Sequence, residues 1–413
     1  MKKKYGFYII FILVFMSGMM LIGETSAYSN GHYYTTDGSE LSITKYLNDY
    51  KTAMYNGNST HYSTHDWIAE YGLERCYYKY PSNQFFKKLA GWRNAKIGRE
   101  ELNDDDNCRI YYLLGTEIPD LCTYSSKDFT ITTKCGTTIS RTILGGININ
   151  VDTDGDGILE PKALCHESQV KHRLRYGGTF TNYQVIVDNL LAWARTFFNY
   201  ATEQLGNKDC QAAALYLGIV AHIIADATAY WHLIDIPPGT QKQTEAYIAQ
   251  MTKIRYDSRI SDPFISVPFD DGISTILRLD AESATRVCGK NAFFAPEWGN
   301  FLSPQEMQDN APGSSDAKFW GLVGKEPHYW KSSDWSKFSE GSTPFKYFKT
   351  INMYLDESVK FVARMLKAAS EFFTGCSDGE GQNNGDEDDL INNQWSIYTH
   401  VFTAITIPSG IIT

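Results

Sequence analysis

The sequence predicts a mainly helical chain that carries one small β or loop insertion. Three observations lead there. Residues 180–234 hold two long helical patterns, and residues 345–374 repeat their apolar positions with a period near 3.6. Residues 121–165 differ from both, being β-branched and punctuated by glycine. Hydrophobic residues make up 43% of the 413, enough to build a sizeable core and to argue against a disordered chain. At about 150 residues per domain, that length allows one large domain or two ordinary ones.

Residues 1–27 read as a secretory signal. Lys2, Lys3 and Lys4 give the positive start, Tyr5 to Ile22 form an uncharged apolar run, and Thr25 and Ala27 supply small residues at the −3 and −1 places. Cleavage there starts the mature chain at Tyr28. The alternative is an uncleaved N-terminal anchor, since the run is long for a signal. Residues 28–60, rich in Tyr, Asn, Gly and Ser, read as irregular.

THDWIAEYGLERCYYKY, from Thr64, reads as a helix with Thr64 or Ser63 as its N-cap. Residues 80–115 add helices around the acidic stretch Asp104-Asp105-Asp106. The β or loop insertion at 121–165 ends in DTDGDGILE. There Asp152, Asp154, Asp156 and Gly157 imitate the start of a calcium loop, but position twelve is Ala163 instead of a bidentate Glu. A solvated turn and a calcium site are both open on that pattern. The two helices of 180–234 are separated by Gly206-Asn207-Lys208-Asp209, and residues 240–256 look helical again. Residues 257–340, with many Pro, Gly and Trp, read as loops around short helices. The amphipathic helix of 345–374 reads as core. After it, SDGEGQNNGDEDD (377–389) is an acidic linker, and 395–413 is an apolar tail or a weak membrane segment, its polar residues favouring the tail. The expected organisation is a signal over 1–27, one domain over 28–375, and a linker and tail over 376–413. His61, His328 and His400 read as surface or loop residues, and Trp320, Trp330 and Trp335 as packing residues.

There are 48 acidic and 38 basic side chains, a net charge of −10. That balance argues against a duplex-DNA binder, which needs a basic face for phosphates. It leaves room for an enzyme that holds a single phosphate through metal ions. Export permits disulfides among the eight cysteines, 76, 108, 122, 135, 165, 210, 288 and 376. None forms a CxxC pair, so cysteine-based zinc and redox motifs are not supported.

The strongest chemical signal is ALYLGIVAHIIADATAYWHLI, residues 214–234. His222 and Asp226 are four apart and share a helix face, with His232 six residues further. Burying a carboxylate in apolar sequence is costly unless it is paired or binds a metal. An HxxxD spacing lets one helix offer two ligands to a zinc-type metal, or bridge two metals through the carboxylate. A buried His–Asp hydrogen bond that only supports the core is the other reading of the pair alone.

WARTFFNYATEQLGNKDCQAAALYLGIVAHIIADATAYWH (193–232) resembles the zinc-dependent bacterial phospholipase C family, which carries a similar NKD…A…YLG…HxxxDxxxxxH stretch. THDWI at 64–68 is similar to that family's early THxWI motif. The resemblance covers the mature chain to about residue 250, then a looser helical tail. It implies an all-α, multi-helix fold that binds two or three zinc ions in a cleft. By the same resemblance, Tyr28 is the N-terminal residue that chelates one zinc through its amine and carbonyl, where better-known members have Trp. His65 matches the histidine on that zinc, and Asp226 the carboxylate that bridges to the next. His172 best fits the histidine that precedes the HxxxD helix, with His166 as its competitor. Asp120, in GTEIPD, matches the carboxylate near the metals that polarises the attacking water. His232 and Glu245 belong to a third site, where Gln241 replaces the expected histidine; glutamine is a poor zinc ligand beside imidazole.

The activity this implies is hydrolysis of phospholipids at a membrane surface to diacylglycerol and a phosphorylated head group. No G-x-S-x-G suggests a serine nucleophile. No protein partner is expected, and the chain is expected to act as a monomer. Two other readings stay in play. Fungal single-strand nucleases share the trimetal fold and the His–Asp spacing, and stack bases on aromatic side chains. A non-catalytic surface protein that keeps zinc for stability would explain Gln241.

Overall fold

A computed structural model describes residues 64–90, 108–124, 129–151, 158, 160–163, 174–234, 280–299, 301–310 and 342–377. The chain divides into Met1–Asp378 and Gly379–Thr413, and every described residue belongs to the first unit. The described residues are mostly helical, with three small sheets.

In chain order the helices are α1 (Thr64–Lys79), α2 (Gln84–Ala90) and α3 (Cys108–Tyr124), then the one-turn α4 (Arg141–Gly145). After them come α5 (Asn189–Gly206), α6 (Cys210–Asp226) and the short α7 (Tyr230–Leu233). The last are α8 (Ala281–Phe293), α9 (Pro304–Asp309) and α10 (Thr343–Ala369). Six strands pair as antiparallel hairpins: β1 (Thr130–Thr132) with β2 (Thr138–Ser140), β3 (Asn148–Val151) with β4 (Glu160–Ala163), and β5 (Leu174–Gly178) with β6 (Tyr183–Asp188).

α6 is the centre. All 17 of its residues are buried, which a helix apolar on every side requires. It packs on α1, α3, α5, α8 and α10. Its start is fixed by sequence: Lys208, at φ 61°, breaks the chain out of α5, and Asp209 caps α6 by accepting from the Ala212 N–H at 3.0 Å. The first hairpin is tied to the same point. The Thr133 hydroxyl donates to Asp209 Oδ2 at 2.7 Å, and the Lys134 N–H donates to the Gln211 side-chain oxygen at 2.8 Å. A Cys210–Cys376 disulfide joins the start of α6 to the segment that follows α10.

α3 and α6 cross backbone to backbone. A Cβ on Gly115 would lie 2.1 Å from the Leu215 carbonyl oxygen, and one on Gly218 would lie 1.9 Å from the Tyr112 carbonyl oxygen. Only glycine at both places allows this approach.

The structure refines the sequence reading in several places. The helices expected from Thr64, over 180–234 and over 345–374 are α1, α5 with α6, and α10. The β insertion starts later than residue 121, because α3 runs to Tyr124, and it reaches past 165 into a third hairpin. TNYQVIVD, at the head of the 180–234 segment, is rich in β-branched residues and so forms a strand, with helix beginning only at Asn189. Within 257–340, Ala281–Phe293 is a full 13-residue helix, capped by Asp280. Cys76 and Cys288 are buried thiols bonded to the Ala363 and Ile224 carbonyls, and burial pushes both thiol pKa values well up. Among the described residues, no helix is long and apolar enough to cross a membrane.

Candidate metal centre

Four elements carry polar residues to one buried point. α1 brings His65 in its first turn, and α3 brings Asp120 just after Pro119. α6 brings His222 and Asp226 one turn apart on its last two turns. Beyond Asp226 the chain turns at Thr228, whose hydroxyl donates to the Ala225 carbonyl at 2.7 Å, and an extended Ala229 opens α7. That turn is why His232, six residues on, faces back toward Asp226. All five side chains are buried in an otherwise apolar core.

The two oxygens of Asp226 face different rings. Oδ2 is 3.2 Å from His222 Nε2, and Oδ1 is 3.5 Å from His65 Nε2. His232 Nε2 lies 3.9 Å from Oδ1. Asp120 Oδ1 is 3.8 Å from His222 Nε2. The His65 and His222 rings are stacked, with centroids 3.7 Å apart and planes 9° from parallel. The ligand atoms of His65, Asp120 and His222 all lie within 4.8 Å of one another.

The donor set fits a divalent metal. Imidazole and carboxylate suit zinc-type ions. Two donors on one tetrahedral zinc, each about 2.0–2.1 Å from it, sit about 3.3 Å apart. The Asp226 contacts to His222 and His65 bracket that spacing. The buried His65–Asp120–His222 group can therefore hold a metal ion.

His222 is oriented from behind. Its Nδ1 donates to the Thr116 carbonyl at 2.6 Å, which leaves Nε2 facing both carboxylates. Burial alone would lower its pKa. The charges of Asp226 and Asp120 outweigh burial, the Asp226 and Thr116 hydrogen bonds add to them, and the result is raised to about 9. Further back, Arg109 and Glu70 form a buried ion pair between α3 and α1.

Of the residues predicted from sequence, His65, Asp120, His222, Asp226 and His232 come together here. Tyr28, His172 with its competitor His166, Gln241, Glu245, and the calcium-loop residues Asp152, Asp154 and Asp156 lie outside the described residues. So do the signal, the acidic linker and the tail. The structure does show what flanks the calcium-like loop: Val151 pairs with Glu160, so a hairpin surrounds it instead of the two helices of a helix–loop–helix calcium site. Thr116 and Asp66 were not foreseen. Thr116 acts through a backbone carbonyl, which leaves no side-chain signature, and its one hint was a polar residue inside the apolar run of α3.

Compared with known proteins, the chain matches no family model, no curated protein and no solved structure.

Proposed function

We propose that this chain is a secreted, zinc-dependent phosphodiester hydrolase, and within that class a phospholipase C acting on phospholipids at a membrane surface. One observation carries the reading. Residues 65, 120, 222, 226 and 232, named as metal ligands by the resemblance and spread over four elements, converge with their donor atoms 3.2–3.9 Å from one another's in successive pairs.

Each residue has a role in this reading. Asp226, with one oxygen facing His65 and the other facing His222, would help hold zinc here. His222, with its proton held on Nδ1 by Thr116, offers Nε2 as a ligand. Divalent ions at such a site lower the pKa of bound water toward 7 and offset charge on phosphate oxygens. Asp120, whose Oδ1 faces the same His222 Nε2 as Asp226, would accept the proton of the attacking water. That proton would pass to the diacylglycerol oxygen as its bond to phosphorus breaks, and no covalent bond to the protein would form.

The test is hydrolysis of phosphatidylcholine and of single-stranded DNA by secreted protein of known N-terminus, with metals counted by mass spectrometry. Two or three zinc ions per chain with lipid hydrolysis is the expected result. DNA hydrolysis alone would move the reading to a single-strand nuclease. The near-complete burial of the five ligands favours a second reading, a zinc-stabilised protein without catalysis. Firmly bound zinc with neither substrate turned over would establish it. Asp120→Asn separates the two: it abolishes hydrolysis in an enzyme and changes only metal affinity in a structural site.

A further inference from the structure

A second layer of polar contacts joins the same helices behind the metal-facing side chains. Thr116 is its centre. Its carbonyl accepts from His222 Nδ1 at 2.6 Å. Its hydroxyl points to α1, 2.8 Å from Asp66 Oδ1, and also lies 2.7 Å from the Leu113 carbonyl, sharing one proton between them. Thr116, Asp66 and His222 are all at 0% exposure. Asp66 follows the ligand His65 directly, and Thr116 lies one turn before the ligand Asp120. Thr116 thus touches α6 through its backbone and α1 through its side chain, and it stands in α3 beside the third ligand.

We infer that Thr116 and Asp66 are positioning residues of the metal centre, fixing the ring angle and tautomer of His222 and the register of α1 against α3. The inference rests on the metal reading of the site and is independent of the substrate. A carbonyl acceptor at Nδ1 keeps the proton there and leaves the Nε2 lone pair for a metal. The turn that supplies this carbonyl is weakened, because Pro119 has no N–H to give the Gly115 carbonyl. An external tie is therefore needed to hold Thr116 in place, and Asp66 provides it. A buried carboxylate is expensive unless it is bonded, so Asp66 is held here by specific contacts and not by solvent.

The test measures zinc affinity by competition with a chromophoric chelator for the full chain and for T116V, D66A, the double variant and T116S. The Nδ1 proton of His222 is followed by nuclear magnetic resonance. T116V and D66A should each weaken zinc about 10- to 100-fold. The double variant should lose about as much as either single, because both changes break one tie. T116S, which keeps the hydroxyl, should stay near wild type. The His222 Nδ1 proton should exchange slowly in wild type and rapidly in T116V. Wild-type affinity in both single variants, or additive losses in the double, overturns the inference alone. A wild-type chain that holds no metal overturns the metal reading and this inference with it. If neither single variant folds, the spectrum of the zinc-loaded wild type decides: a proton on Nδ1 supports the inference, and a ring with no Nδ1 proton overturns it.

Discussion

Replacing Gly218 by alanine tests how the fold builds the site. The new Cβ would sit 1.9 Å from the Tyr112 carbonyl oxygen and 2.9 Å from the Gly115 Cα, and contacts under 3.0 Å are essentially never tolerated. Both neighbours are backbone, so α3 and α6 must separate by about 1.1 Å. Overpacking of this kind costs about 1–3 kcal/mol, set against a gain of about 1 kcal/mol in helix propensity for Gly→Ala. A net loss toward the upper end of the resulting range, up to about 2 kcal/mol, is expected because backbone cannot move aside as a side chain can. The site should suffer more than the fold. His222 is one turn beyond Gly218, and its bond to Thr116 would stretch from 2.6 Å toward about 3.7 Å, past hydrogen-bonding range. Zinc affinity should then fall by about 10-fold or more. Urea unfolding measures the first effect and chelator competition the second. Gly206→Ala is the control: its Cβ meets nothing within 4 Å, so it should be neutral or stabilising by up to about 1 kcal/mol. A G218A protein with wild-type stability and wild-type zinc affinity would refute the reasoning that the glycine crossing sets the site.

Three other outcomes are expected. Cys376→Ser opens the bond to Cys210 and should lower stability by about 2–5 kcal/mol in urea unfolding, with wild-type protein showing the same loss only when reductant is present. Asp209→Ala removes the α6 cap and the Thr133 acceptor together, and should cost about 1–2 kcal/mol in thermal or urea unfolding. In metal-free protein, His222 titrates near 9 against 6.5 for a free imidazole, a raised value. Its stabilising contribution is full below pH 6.5 and is lost as pH rises through about 9. A metal needs the neutral ring, so binding at pH 7.5 should release close to one proton from His222 and tighten as pH rises toward 9. Calorimetry in two buffers of different ionisation enthalpy reads that proton, and a buffer-independent heat would contradict it.

Sequence by itself determined the local elements and most of the candidate donors. An apolar run with no polar face can only be a central helix, which α6 is, and the HxxxD spacing puts His222 and Asp226 on one face whatever surrounds them. The 3.6-residue period of 345–374 is α10, and Gly206-Asn207-Lys208-Asp209 marks the break between α5 and α6. Strand limits were harder to read. A short β-branched stretch such as TNYQVIVD runs straight into helical sequence, and only its partner LRYGG shows where pairing stops. Tertiary structure alone decided which distant residues meet. Nothing in the spacing of His65, Asp120 and His222 says that their ligand atoms lie within 4.8 Å; for Asp120 and His222, two glycines that let α3 and α6 touch permit it, and for His65 the packing of α1 on both does. It also decided the tautomer of His222 through the Thr116 carbonyl, a group every residue carries and no sequence pattern marks. Periodicity depends on neighbours along the chain and so is written in the sequence, whereas convergence depends on how closely backbones can pack.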